Sequence, residues 1–530
     1  MKSKSVLFVL ALVCLASSLL ADDGHHHLGP SVSFPTSCAA AVQKSFERGV
    51  ALMHSFEYEM AENQFKEVAK QDPGCAMAYW GQALSLYHQL WSRPAKDDLK
   101  RGNDLLAHAT GLKPKTPRER EYINALAVFY HDAEKIDHHE RANAYSAAME
   151  KVYRDNPQDR EAAVFYALSL LGSGPDDDPT QANHRKAVAI LNKLFVQDPG
   201  HPGIAHYIIH ACDNPQMASL GLAAARKYAS IAPSSAHAVH MPSHIFARLG
   251  LWQDDIQSNE AALRVADNMG SMHLHVMHHK MHSLDFLEYA YLQIGNDQKA
   301  KAEWDELQTI RKPDVEAEFQ DYYDAMKAGF AARYTLERRQ WQEALELQPV
   351  AGARPFVQAL TYWAHAVAAG HLHNVEAAQS AVDQFSAMVE ATKKSDKAHE
   401  AKYMANNQNE TQAWLAFTQG KNEEALRLLR AVADKQDKVG KGETETPARE
   451  MLADMLLEMN RPQDALVEYE IALKTDPNRF NGLYGAARAA EMTQQKEKAS
   501  GYYAQLIRNC QDSNSDREEL AKAKTLVAAK

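Results

Sequence analysis

The phrases HPGIAHYIIHACDNP (201–215) and SSAHAVHMPSHIFARLG (234–250) place a pair of histidines at the same phase of two successive segments. In each phrase the two histidines are four residues apart, and the second pair follows the first by 34 residues. Thirty-four residues is the period of a stacked helix-turn-helix repeat. The two phrases therefore predict an array of paired helices in which residues of equal phase lie side by side.

A third copy of the histidine pattern follows in SMHLHVMHHKMHSLDFLEYA (271–290). The spacing H-x2-H-x3-H of the second phrase recurs there 38 residues later. Eleven of the 25 histidines of the chain fall between residues 201 and 282, so the unusual chemistry is concentrated in this segment. The six histidines that share the spacing are His237, His240, His244, His275, His278 and His282.

The repeat register extends over nearly the whole chain. In the first unit Ala61, Phe65 and Pro73 have the offsets A-x3-F…P, and the next unit opens with AMAYWGQALSLY (76–87). These residues resemble the tetratricopeptide repeat family. The resemblance implies an all-α superhelix, a solenoid of about 11–12 helix-turn-helix units with a concave inner face. Four glycines are predicted to mark turns between paired helices: Gly250, Gly295, Gly370 and Gly420.

Several longer phrases resemble a narrower group, exported bacterial tetratricopeptide proteins. They are FPTSC, DPGCAMAYWGQA, HYIIHACDNP, HAVHMPSHIFARLGLW and TPAREMLADMLLE. The activity of that group is unsettled, so this resemblance implies a fold and an exported protein but no reaction.

Residues 1–21 have the pattern of a secretory signal, because lysines precede an apolar run that ends in small residues. A histidine- and proline-containing leader (22–40), the main array (41–433), a polar linker (434–447) and C-terminal units with a capping helix (448–530) follow. We therefore expect an exported protein, periplasmic or extracellular, with no membrane span in its mature part. A net charge of -11 without a basic cluster argues against nucleic acid as a partner.

Export would place the four cysteines beyond the signal in an oxidising compartment. Cys38 and Cys75 are 37 residues apart, about one repeat, which predicts that they lie near equivalent ends of adjacent helices. They are the one pair that the spacing predicts to form a disulfide, with Cys212 and Cys510 free.

The family resemblance also implies which residues face the concave groove, here the segment 201–289. In tetratricopeptide repeats the second, fifth, ninth and twelfth residues of the first helix line that face. When the units are counted from Pro233, these places hold His206, His210, Asp213, His237, His240 and His244. The third helix allows two registers, one with His278 and His282 in the groove and one with His282, Asp285 and Tyr289.

Two histidines four apart on one helix face can share a metal ion, as they do in helical zinc sites. Neighbouring helices pack about 8–10 Å apart, so pairs from adjacent helices can converge. The sequence therefore predicts a site for Zn²⁺, Cu²⁺ or Fe²⁺, since imidazole suits all three ions. The predicted ligands are His206, His210, His240, His244, His278 and His282, with His237, His275 and Asp213 as further candidates.

Alternative interpretations remain open at this stage. Pro242 would either kink its helix or begin it, and in the second case His237 and His240 would lie in a loop. The histidines would also suit a metal-free groove for an extended peptide. A second polar cluster is formed by Glu450 and Asp454, two carboxylates four residues apart at groove places.

Three functions are consistent with these patterns. The first is an exported scaffold that binds a transition metal and a protein or peptide partner in its groove. The second is a metal-dependent enzyme, hydrolase- or oxidase-like, in which Glu450, Asp454 or Asp213 acts as base. The third is a metal-free peptide-binding adaptor. Signatures of nucleotide, hydrolase, metalloprotease and haem chemistry do not occur in the sequence.

Overall fold

The structure is a computed structural model that describes residues 32–90, 93–175, 178–269 and 276–528. Within these ranges the chain forms α-helices and no β-strand, which confirms the predicted all-α fold. The predicted signal, the leader histidines and His275 lie outside the described residues. The helices are α1 (Gln43–His54), α2 (Tyr58–Gln71), α3 (Ala76–Ser85), α4 (Lys96–Gly111), α5 (Pro117–Tyr130), α6 (His138–Asp155), α7 (Arg160–Leu171), α8 (Ala182–Gln197), α9 (Pro202–Cys212), α10 (Ala218–Tyr228), α11 (Ala236–His240), α12 (Pro242–Arg248), α13 (Trp252–Met269), α14 (Val276–Gln293), α15 (Asp297–Thr309), α16 (Gln320–Glu337), α17 (Trp341–Glu346), α18 (Pro355–His371), α19 (Val375–Lys393), α20 (Ala405–Thr418), α21 (Asn422–Val439), α22 (Ala448–Glu458), α23 (Pro462–Thr475), α24 (Phe480–Met492), α25 (Lys496–Asn509) and α26 (Glu518–Ala528).

Phe65 shows why the repeat pattern requires small residues at fixed places. A Cβ added to Gly49 or to Gly81 would lie 2.6 Å from the Phe65 ring, closer than van der Waals contact allows. Phe65 on α2 therefore packs directly against the backbones of α1 and α3. The same packing repeats along the chain, and the apolar side chains form two large buried clusters, one within residues 32–246 and one within residues 332–523.

The glycine predictions are confirmed at three of four turns. Gly370 is the exception: this prediction was wrong, because Gly370 lies inside α18. The Trp414 ring covers it so closely that a Cβ would lie 2.2 Å away, so this glycine allows helix packing and the turn follows at 372–374. The glycines that do lie in turns all have the positive φ that favours glycine: Gly250 (61°), Gly295 (70°) and Gly420 (73°).

A disulfide joins Cys38, just before the first helix, to Cys75 at the start of α3. The two Cα atoms are 4.8 Å apart, within the usual range for a disulfide. Among the described residues Cys212 and Cys510 are free thiols, and both are buried. The disulfide therefore fixes the N-terminal segment to the second repeat.

We expect the substitution Cys38→Ser to lower the free energy of unfolding of the N-terminal repeats by about 3 kcal/mol, because it opens a 37-residue loop. Urea unfolding followed by circular dichroism would measure the shift. In the presence of a phosphine reductant the wild-type protein should unfold as the variant does. An equal difference with and without reductant would mean that the loss comes from side-chain packing and not from the crosslink.

The C-terminal repeats pack against the middle of the array. The Trp252 indole N–H donates to the Asn478 backbone oxygen (2.8 Å), and the Asn478 amide donates to the Gly250 oxygen (3.2 Å). The predicted linker 434–447 differs from a simple connector. Its first residues belong to α21, which continues to Val439, and the rest (440–447) contacts residues of α12, α14 and α16. None of the described helices has the length and apolar character needed to cross a membrane.

Candidate metal centre

Three histidines of α9 and α11 form a compact group that we call set one (His206, His210 and His237). The Nε2 atom of His206 lies 3.0 Å from that of His210 and 3.1 Å from that of His237. One ligand atom from each ring falls within 4.8 Å of the other two. His206 and His237 are buried and His210 is partly exposed, so the group lies at the edge of the core.

A second group, set two (His240, His244 and His282), lies beside the first. The Nε2 atoms of His240 and His244 are 3.0 Å apart, and the His282 ring centroid is 4.4 Å from that of His240. One ligand atom from each of these rings also falls within 4.8 Å of the others. The three rings come from three helices, α11, α12 and α14.

Pro242 does not move the histidines into a loop. Met241 has helical dihedral angles (φ -49°, ψ -35°), and Pro242 occupies the first position of α12, where its missing N–H costs nothing. His237, His240 and His244 therefore keep one nearly continuous helical register. As a result His237 reaches back to α9, while His240 and His244 face α14.

The backbone fixes the tautomer of His206. Its Nδ1 atom lies 2.6 Å from the carbonyl oxygen of His54, and because a carbonyl can only accept, Nδ1 must carry the proton. The lone pair of Nε2 consequently points at the other two rings of set one. This arrangement, with one ring nitrogen anchored and the other free to coordinate, is the usual one for a metal-ligating histidine.

Two hydrogen-bonded side chains in succession, Asn259 and Asp255, fix the tautomer of His240. Its Nδ1 atom lies 2.6 Å from Asn259 Oδ1, and the Asn259 amide nitrogen donates to Asp255 Oδ1 (2.6 Å) and to the Asp255 backbone oxygen (3.1 Å). Since Asp255 holds the amide N–H₂ group, the Asn259 oxygen must face His240 and accept its Nδ1 proton. The Nε2 lone pair of His240 therefore faces His244.

Acidic side chains hold His244 from its outer side. His244 Nδ1 lies 2.8 Å from Asp213 and 3.2 Å from Glu443, and Arg248 pairs with both carboxylates. Burial disfavours the charged ring, but the two carboxylates outweigh it and raise the pKa of His244 to about 10. In the absence of a metal ion His244 is therefore an imidazolium that donates its Nε2 proton to His240. When a cation replaces that proton, His244 is a neutral ligand.

The other rings are held neutral. Burial lowers the pKa of His206 to about 3 and that of His282 to about 4. Burial, reinforced by the neighbouring imidazoles, also lowers the pKa values of His210, His237 and His240 well below the usual range. Neutral imidazole is the form that binds metal ions.

The short Nε2–Nε2 distances have a specific chemical meaning. Two imidazole Nε2 atoms at 3.0–3.1 Å repel each other unless a proton or a cation lies between them. Zinc–nitrogen bonds of about 2.0–2.1 Å in tetrahedral geometry place ligand nitrogens roughly 3.3 Å apart. Both sets are therefore close to the spacing that one transition-metal ion per set requires.

Each set also packs against a phenylalanine. The Phe56 ring centroid lies 4.4 Å from that of His206 and 5.3 Å from that of His210. Phe286 takes the same place in set two, at 4.9 Å from both His240 and His244. These rings exclude bulk water from one side of each set, which strengthens electrostatic interactions there.

The remaining predicted site residues lie outside the two sets. The His278 ring stacks on Phe319 with its centroid 6.0 Å from that of His282. Glu450 is buried in an ion pair with Arg479, and Asp454 accepts hydrogen bonds from Arg339 and Tyr469. Asp213 lies behind His244 and contacts its Nδ1 atom, not the Nε2 atom that faces His240.

The structure also contains a cluster that sequence reasoning missed. Glu161 accepts from His54 Nε2 through one oxygen and from His201 Nε2 through the other, each at 2.8 Å, and all three side chains are buried. Burial opposes ionisation of Glu161, but the two histidines lower its pKa to about 2. The cluster fixes His54, whose carbonyl oxygen in turn orients His206.

Paired helices throughout the described residues, with two histidine sets packed between neighbouring pairs, define the chain as an all-α repeat protein. Residues 450–514 match the tetratricopeptide repeat family model, so this part of the chain is similar to tetratricopeptide repeats.

Among solved structures, the P58(IPK) TPR domain aligns with 14% identity over 92% of this chain and 99% of its own, at a TM-score of 0.20. The human IFIT1 dimer with m7Gppp-AAAA aligns with 13% identity over 82% of this chain and 90% of its own, at a TM-score of 0.36. At such TM-scores neither likeness carries an argument. No curated protein matches the chain.

Proposed function

We propose that this tetratricopeptide-type scaffold binds a transition metal through set one and set two. The observation that carries the proposal is the convergence of imidazole Nε2 atoms in both sets. In set one the Nε2 atom of His206, whose Nδ1 atom is anchored by a backbone carbonyl, lies 3.0–3.1 Å from those of His210 and His237, and in set two the Nε2 atoms of the two anchored rings His240 and His244 are 3.0 Å apart. A metal ion bound between the converging nitrogens of a set would satisfy all of them at once.

The anchoring groups support the same proposal. A backbone carbonyl holds His206, an amide side chain holds His240, carboxylates hold His244, and the Tyr322 hydroxyl lies 3.0 Å from His282 Nδ1. Such outer partners are characteristic of metal-ligating histidines, and their loss typically weakens metal affinity about 10–100-fold. Imidazole ligands favour zinc, copper or iron over magnesium and calcium.

We expect the purified mature protein to contain stoichiometric transition metal by elemental analysis, and the double substitution His210→Ala/His244→Ala to remove it. The double variant takes one ligand from each set. Its helicity by circular dichroism should be unchanged, because the repeat packing depends on apolar residues such as Phe65 and not on these rings. Set one should keep its metal well below pH 6.5, because burial holds the pKa values of its three rings far below that of free imidazole.

A matched control is His108→Ala/His131→Ala, which removes two exposed histidines far from either set. This control should retain the full metal content. If the His210/His244 variant kept its metal, or if the wild-type protein bound none from zinc, copper or iron solutions, the proposal would be wrong.

Export and partner binding complete the proposal. The Cys38–Cys75 disulfide is of the kind that persists in an oxidising compartment, which supports an exported protein, periplasmic or extracellular. Tetratricopeptide repeats generally mediate protein interactions, so we propose a protein or peptide partner on the concave face. Cell fractionation of the organism that makes the protein would test the first point, and affinity purification of the metal-loaded protein under mild conditions the second.

A further inference from the structure

The two histidine sets share one helix and lie side by side. His237 of set one and His240 of set two are three residues apart on α11. Across the boundary between the sets, the ring centroids of His210 and His244 are 6.4 Å apart. Ions held by the two sets would therefore be near neighbours, not occupants of separate sites.

Neither set contains an anionic side chain, and His244 becomes a neutral ligand when a cation replaces its Nε2 proton. Each set consists of three imidazoles, and neither contains a carboxylate or a thiolate. All-imidazole donors suit copper, and Cu²⁺ is also the divalent first-row ion with the highest intrinsic affinity for such ligands. Zinc and iron pairs in proteins are more often joined by a protein carboxylate, which these two sets lack.

Two adjacent divalent cations repel each other, and an anion between them offsets this repulsion. The nearest carboxylates cannot supply that anion. Asp213 and Glu443 contact the outer nitrogen of His244, and Arg248 holds them there at 2.9 Å and 3.3 Å. The bridging anion must therefore come from solution.

The surroundings limit the size of that anion. Phe56 packs on set one and Phe286 on set two, so part of the space around the rings is already filled. His210 and His282 are the partly exposed members of their sets, which leaves an approach from solvent. A diatomic or triatomic ligand fits this description better than a peptide carboxylate does.

We propose that set one and set two together hold a coupled pair of copper ions joined by a small bridging anion, of which hydroxide is the natural example and azide a probe. This inference rests on the proposed metal-binding function and adds the number of ions, their identity and the class of ligand. No bond to a protein atom other than the six histidine nitrogens is required.

The test is to load the metal-free protein with Cu²⁺, remove excess, and compare total copper with copper detected by electron paramagnetic resonance. The wild-type protein should hold two copper ions per chain but give a signal for only a small fraction of them, because a bridging anion pairs the two unpaired electrons. His210→Ala (set one) and His282→Ala (set two) should each hold one copper ion per chain and give the full signal of one. Azide should bind to the wild-type protein in a ratio of one per chain.

The exposed histidine variant His131→Ala is the control and should retain the silent pair. If His210→Ala loses helicity, His210→Gln, which keeps the side-chain volume, should give the same copper count. Two ions per chain with full signal intensity would overturn the coupled pair and leave the metal-binding function standing. A single copper ion per chain in the wild-type protein would also overturn the coupled pair and leave the metal-binding function standing. A protein that binds no copper, zinc or iron would overturn both proposals.

Discussion

Replacing Arg479 with methionine should lower the free energy of unfolding by about 3–5 kcal/mol, the usual consequence of leaving buried charges without their partner. The guanidinium is fully buried and lies 2.6 Å from Glu337 and 2.9 Å from Glu450. It also donates to the Tyr289 hydroxyl. Methionine fills similar volume, so the loss would report the charges and not a cavity.

The matched control is Arg508→Met, which removes an exposed arginine from the neighbouring helix α25 and should change stability by less than about 0.5 kcal/mol. A triple variant, Arg479→Met/Glu337→Gln/Glu450→Gln, should recover much of the loss, because it removes the uncompensated carboxylates as well. Urea unfolding would measure the free energy of unfolding of Arg479→Met, of the control and of the triple variant. If Arg479→Met were as stable as the wild-type protein, the buried network would not hold the C-terminal repeats in place.

The ion-pair network of Arg479 joins repeats that are distant in the sequence. Arg479 precedes α24 and joins it to α14, α16 and α22 through Tyr289, Glu337 and Glu450. In the same region residues 440–447 reach back to the middle of the array, where Glu443 contacts His244 and Arg248. The C-terminal repeats therefore position an acidic group beside set two, although they contribute none of its ligands.

Periodicity was sufficient to predict the fold and the helices that carry the histidines. Repeats of equal phase lie side by side, so the pairs His206/His210 and His240/His244 come close in space from spacing alone. Periodicity was not sufficient to divide the histidines between two sets. That division depends on His237 and His240 turning toward different neighbouring helices from the same short helix, which the pattern does not encode.

The partners of the ligands could not be predicted, because they are distant in sequence. His54 contacts His206 across 152 residues, and Glu443 contacts His244 across 199. A single buried histidine and a single loop glutamate have no periodic sequence pattern. Their roles follow only from contacts between segments that are far apart in the sequence. The carboxylates Glu450 and Asp454 are the converse case. Their spacing suggested a groove lining, whereas arginines from other repeats engage both.

In the metal-free protein the buried neutral histidines should contribute a loss of stability as the pH falls from 7 to 5. The rings of His206 and His282 have pKa values of about 3 and about 4 in the folded protein, against 6.5 when unfolded. Over this pH range the unfolded state takes up protons that the folded state does not, so stability falls as pH falls. Each of these two rings lowers the free energy of unfolding by about 2 kcal/mol between pH 7 and pH 5. The pKa values of His210, His237 and His240 are lowered too, so these rings act in the same direction.

His244 acts with the opposite sign, because its pKa is raised to about 10 in the folded protein. Its contribution is fully present below pH 6.5 and is lost as the pH rises toward 10, so on acidification it offsets about 1 kcal/mol of the loss. Glu161, with a pKa of about 2 in the folded protein and 4.5 unfolded, loses its contribution only below pH 4.5. Burial also raises the pKa values of Glu288 and Glu410 to about 8 and that of Glu303 to about 7, so these carboxyls add stability as the pH falls over the same range, and only the difference between matched variants isolates the histidines.

Urea unfolding of chelator-treated protein at the two pH values measures the effect, and His206→Gln tests its origin. The variant should be less stable at pH 7, but its loss between pH 7 and pH 5 should be smaller than that of the wild-type protein by about 2 kcal/mol, since one buried titrating ring is gone. The exposed variant His131→Gln should show the full wild-type pH dependence. If His206→Gln kept the wild-type pH dependence, the His206 ring would not be held neutral by burial. A protonated His206 could not bind a metal ion.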